Sequence, residues 1–139
     1  LGRPIFALHM HFAVGGVNLL SDGHLGLVGS AFAIHLNFAW LAHGASGVVS
    51  VVGHVIASGL RALVTEVDSG DLPAARAEAA SQRRIVEAIM GGGQGAVMAK
   101  EALKLMGVLP NATLRLPLVG ASSSQISALA ATLRAEGLV

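Results

Sequence analysis

The chain has no cysteine, no tyrosine and little charge. Without cysteine there is no disulfide, no thiolate zinc ligand and no thiol nucleophile, and the redox compartment stays open. Charged residues make up 12% of the 139 and hydrophobic residues 53%. Ordinary globular chains carry about 25% charge, so much of this one expects burial. The net charge is +1, with no basic stripe to neutralise phosphates, which argues against a nucleic-acid partner. Lysine is scarce, at Lys100 and Lys104 alone. No secretory signal is expected in the first residues, since the short apolar run after Arg3 is interrupted by His9 and His11. The chain begins at Leu1 rather than Met, and a fragment or processed product is expected.

Charge is unevenly placed. Residues 1–60 hold only Arg3 and Asp22, and the other fifteen charged side chains fall between Arg61 and Glu136. The first part reads as interior and the second as surface helices. Pro4-Ile5-Phe6-Ala7-Leu8 suits a short buried strand. Gly15-Gly16 and Asp22-Gly23 bracket Val17-Asn18-Leu19-Leu20, and Leu25-Gly26-Leu27-Val28-Gly29 reads as a strand entering a turn. Ser30 can cap a helix over residues 31–43, stopped by Gly44. Gly47-Val48-Val49-Ser50-Val51-Val52 is β-branched and apolar without alternation, as in a parallel strand covered on both faces. Strand, helix, strand in this order predicts parallel pairing.

The remainder reads as helical. One helix is expected over residues 58–67, ending at Ser69-Gly70. Asp71 then caps a longer one with Pro73 in its first turn, where the missing N–H costs nothing. Leu72, Ala75, Ala79, Val86 and Met90 share its apolar stripe, and Gly91-Gly92-Gly93 ends it. Further helices are expected over residues 94–106, closed by Gly107, and from Ser122–Ser124 through Ala135, closed by Gly137. Residues 108–121, with Pro110 and Pro117, show no clear period.

Several of these segments, taken in order, resemble the dihydrodipicolinate synthase/N-acetylneuraminate lyase family. Gly44-Ala45-Ser46-Gly47-Val48-Val49-Ser50-Val51 is similar to its "GAxGVISV" eighth strand. Ser69-Gly70-Asp71-Leu72 with Ala74-Ala75-Arg76 is similar to "xGDlxxAR". Val97-Met98-Ala99-Lys100-Glu101-Ala102-Leu103 with Leu105-Met106-Gly107 is similar to "PvKaAlxllG", and Leu114-Arg115-Leu116-Pro117-Leu118 to "RLPL". Val28-Gly29-Ser30-Ala31 looks like the end of the seventh strand. The resemblance covers roughly residues 25–139. It implies an α/β fold, a partial TIM (β/α)8 barrel made of the last strands and followed by a C-terminal helical extension. The division it implies is residues 1–57 for barrel strands and crossover helix, and 58–139 for C-terminal helices.

The family implies a class I aldolase-type lyase acting on pyruvate or another 2-keto acid through a lysine Schiff base, with no cofactor. The nearest match to its lysine pattern, "vGiKd", is Gly15-Gly16-Val17-Asn18, which puts Asn18 where the lysine belongs. An amide nitrogen cannot form that imine, and the peripheral Lys100 and Lys104 read as a solvated helix face. The interval from Asn18 to Gly29 is also too short for a crossover helix. The family's tyrosine is absent as well. No catalytic residue is therefore assigned.

The substrate-contact candidates are Gly29, Ser30 and Val49. The backbone N–H groups of Gly29 and Ser30, and the Ser30 hydroxyl, suit a keto-acid carboxylate. Val49 matches the eighth-strand residue whose carbonyl lines the pyruvate site, with Ser50 and Gly53 as neighbours. The plain alternative is a turn glycine, a capping serine and a buried strand valine.

His9 and His11 share a strand face, a spacing known from zinc-dependent barrel hydrolases. His24, His35, His43, His54 and Asp22 are possible further ligands, but no tight motif supports them and no metal is assigned. Residues 23–60 lack Asp, Glu, Lys and Arg, yet histidines, Asn37 and the turn at Gly44–Gly47 break the run, so a barrel interior is expected and not a membrane span. The resulting expectation is a cytoplasmic lyase-family chain, a fragment or degenerate copy inactive alone, in a homo-oligomer or with a complementing chain. The other readings are a non-catalytic interaction module and a histidine-based metal hydrolase.

Overall fold

The computed structural model describes residues 16–19, 25–29 and 37–139, the first two stretches as backbone strands. The expected strand at residues 4–8 and the start of the helix after Ser30 lie outside them. Among the described residues there are three strands, β1 (Gly16–Leu19), β2 (Leu25–Gly29) and β3 (Gly47–Val48). The helices are α1 (Asn37–Ala42), α2 (Gly53–Ser69), α3 (Leu72–Ser81), α4 (Arg83–Met90), α5 (Gly95–Leu105) and α6 (Ser123–Ala135).

The sheet order is β1-β2-β3. β2 and β3 pair in parallel across α1, as the strand–helix–strand pattern predicts. β1 pairs with β2 in the antiparallel sense, Gly16 opposite Val28 and Leu19 opposite Leu25. This corrects the match of residues 15–18 to a sixth barrel strand. The short link that troubled that match joins two antiparallel neighbours, which need no crossover helix.

β3 is shorter than its valine run suggests. The chain leaves the sheet after Val48, and the Gly53 N–H donates to the Ser50 carbonyl at 3.3 Å. Val52 is helical in backbone and fully buried against α4–α6. Tertiary packing here outweighs β propensity. α2 accordingly begins earlier than expected, and a non-helical Ile56 (φ −122°, ψ 40°) divides its first turn from the body.

Helix ends follow local chemistry. Asp71 Oδ1 accepts from the Ala74 N–H at 3.0 Å to open α3, with Pro73 in the first turn. Gly70 closes α2 at φ 82°, a left-handed conformation that glycine adopts without a Cβ penalty, and the Asp71 N–H returns to the Glu66 carbonyl. Ser122 and Gln125 form a capping box on α6.

The single helix expected over residues 72–90 is two helices broken at Gln82. The Gln82 side chain is buried and donates to Glu78 Oε1 at 2.9 Å. The break lets each half serve its own core. Ala75 of α3 packs with Leu41, Ala45 and Leu63, whereas Ile85, Val86 and Ile89 of α4 join Val52, Val55, Met98, Ala99, Ala102, Leu129 and Leu133. Leu72, expected on the apolar stripe, is exposed.

Candidate functional site

The C-terminal ends of the two parallel strands lie side by side. Gly29, last in β2, is the register partner of Val48, last in β3. Parallel α/β barrels build their sites at this end of the strands. Gly29 and Val49 are thus brought to one sheet edge, and Ser30 lies outside the described residues. Val49 is 69% exposed, which corrects its reading as a buried strand valine. The strand has already ended, so no second sheet face covers it.

Ser50, in the sequence a mere neighbour of Val49, has a buried Oγ with no hydrogen-bond partner among the described residues. Leaving such a hydroxyl unmatched costs about 1–3 kcal/mol. The corner presents backbone groups, and the Ser50 Oγ is itself closed off from solvent. The corner has no formal charge of its own, because residues 23–60 carry none. An anionic ligand there would be met by backbone N–H donors and no charged side chain. The sequence signal for Ser50 is faint: one polar residue within a run of valines.

The groups needed for imine chemistry are elsewhere. Lys100 stands exposed on α5, donating to the Thr113 carbonyl at 2.7 Å. Lys104, also on α5, lies 3.5 Å from Glu101 Oε2. Helix α5 packs on α4, α6 and α2. Asn18 sits opposite Gly26, nearer the N-terminal end of β2 than Gly29 is. The antiparallel direction of β1 carries it away from the strand ends where a barrel lysine would stand.

His9, His11, His24, His35 and Asp22 lie outside the described residues. His43 and His54 are exposed. Among the described residues no three His, Asp or Glu side chains gather into a metal site. No described helix is long and apolar enough to cross a membrane.

The family model for the dihydrodipicolinate synthetase family matches residues 17–136. The chain belongs to that family. The match begins somewhat before the segment at residue 25 where the motifs become recognisable. Among curated dihydrodipicolinate synthetase relatives, the 4-hydroxy-tetrahydrodipicolinate synthase of Bifidobacterium longum strain DJO10A is 41% identical over 100 residues, covering 72% of this chain and 33% of the relative. The Kineococcus radiotolerans enzyme of the same name is 46% identical over 103 residues, covering 74% and 33%. The chain therefore spans about a third of the length of the curated relatives it matches. The solved dihydrodipicolinate synthase of Thermotoga maritima superposes with a TM-score of 0.72 at 33% identity, covering 76% of this chain and 35% of that one.

Proposed function

We infer that this chain is the C-terminal portion of a (β/α)8-barrel lyase of the dihydrodipicolinate synthase type and performs no Schiff-base chemistry by itself. Residues 1–57 would supply the last barrel strands and crossover helix, and 58–139 the C-terminal helices. The observation that carries this reading is the placement of the lysines. A class I lyase needs a neutral amine beside the keto acid, and both lysines of this chain are on α5.

What the chain contributes is one wall of a 2-keto-acid pocket. By the family resemblance, the backbone N–H groups of Gly29 and Ser30, with the Ser30 hydroxyl, would meet the carboxylate, and the Val49 carbonyl would line the pyruvate side. No cofactor is called for. The three strands among the described residues do not close a barrel by themselves, and this reading has the pocket completed in a homo-oligomer or by a complementing chain, in the cytoplasm. The same open sheet favours a second reading, in which the chain is a non-catalytic interaction module.

Borohydride reduction in the presence of pyruvate tests the first reading. The expected result is an unmodified chain by intact-mass measurement. A stable adduct of one pyruvate at Lys100 or Lys104 would overturn it.

A further inference from the structure

The sheet topology extends the barrel reading, and a role for β1 inferred from it rests on that reading. β2 is the central strand, with β3 on one edge in parallel and β1 on the other in the antiparallel sense. In a closed (β/α)8 barrel each strand pairs in parallel with a neighbour on both sides. The edge of β2 opposite β3 would then belong to the strand that precedes it in the barrel. Here β1 occupies that edge and runs the wrong way.

It cannot be turned into the barrel strand by local adjustment. Residues 20–24 alone link β1 to β2, and a parallel crossover needs about a dozen residues or more. Nor is β1 a strong strand. It pairs over four residues, and two of them, Gly16 and Asn18, are types depleted in sheets. An uncovered edge of β2 would invite pairing with any extended chain. A short, weak antiparallel strand blunts that hazard and can still be exchanged.

We propose that β1 is a displaceable edge cap, closing β2 to strand addition in the free chain and giving way to a parallel strand from a polypeptide that carries the preceding strands of the barrel. The interaction surface is the edge of β2. The partner is a parallel strand with its own barrel framework, in contrast to a second copy of this chain, which would bring another capped sheet.

The test uses the absence of native cysteine. Val17 and Leu27 are directly opposed, so a chain carrying Val17→Cys and Leu27→Cys can be locked by oxidation and released by reduction. The probe is a polypeptide comprising the first two thirds of the Bifidobacterium longum relative, refolded together with the full-length double variant and separated by gel filtration. The expected result is capture of the reduced chain and at least tenfold weaker capture of the oxidised chain. A chain carrying Val17→Pro and Asn18→Pro, which strips donors from the cap, is expected to be captured at least tenfold better than the unsubstituted chain.

Equal capture of locked and released chains overturns the cap and leaves the barrel reading standing. Failure of the cysteines to cross-link overturns the β1–β2 pairing and the cap with it. A cross-link that forms, with no capture in any state, overturns the barrel reading and the proposal together.

Discussion

Gln125 ties the last helix to a turn far away in sequence, and its removal has a calculable cost. Its Oε1 accepts from the Ser122 N–H at 2.8 Å, closing the capping box of α6. Its Nε2 donates to the Gly92 carbonyl at 2.8 Å, across 33 residues. The approach is close enough that a Cβ built at Gly93 would stand 2.8 Å from the same nitrogen. Losing the exposed cap bond costs about 0.5–1 kcal/mol. Losing the half-buried bridge costs about 1 kcal/mol more, because the Gly92 carbonyl is left unmatched. Gln125→Ala should therefore destabilise the chain by about 1.5–2 kcal/mol. Gln125→Glu separates the two effects. It keeps the acceptor and places negative charge near a helix N-terminus, a gain of about 0.3–1 kcal/mol. It also sets a carboxylate oxygen against the Gly92 carbonyl, and its net effect should remain destabilising. Urea unfolding at constant m-value measures both variants as shifts in midpoint. A Gln125→Ala variant within about 0.5 kcal/mol of the parent, the usual size of an inert surface change, would refute the bridge. So would a Gln125→Glu variant as stable as the parent.

Leu133 is fully buried between α4 and α5, so Leu133→Ala should cost about 2–5 kcal/mol by the same assay, and a loss below that range would mean the site collapses without a cavity. Gly70→Ala forces a side chain into the left-handed cap at φ 82° and should cost about 1 kcal/mol, whereas an unchanged midpoint would show that α2 ends another way. Val49→Ala removes an exposed side chain and should shift the midpoint by less than about 0.5 kcal/mol, while a larger loss would show that Val49 is covered in solution.

Features governed by near neighbours were the legible ones. Asp71, Ser122, Gly44, Gly70, Gly107 and Gly137 announce helix starts and stops because capping involves a few adjacent residues, and each stands where it is expected. Parallel pairing of β2 with β3 follows from the order of elements. The strand length at residues 47–52 was less legible, since Val51 and Val52 owe their conformation to α4–α6 rather than to their β-branched side chains. Gln82 gives no breaker signal, because its role depends on two separate cores meeting there. The direction of β1 was hidden for the same reason: a four-residue strand looks alike in either sense, and only the short link hinted at the answer. At the candidate site, the motifs located Gly29 and Val49 on one edge, but the burial of the Ser50 hydroxyl required coordinates.

The main apolar cluster draws its buried members from Val52 to Leu133, and Val49 and Ser50 are not among them. Under the proposed function, resistance to unfolding and the capacity to hold a ligand would be vested in different stretches of polypeptide. Substitution of Val49 or Ser50 should leave most of that cluster's contacts in place, so the helical scaffold can tolerate change at the end of β3.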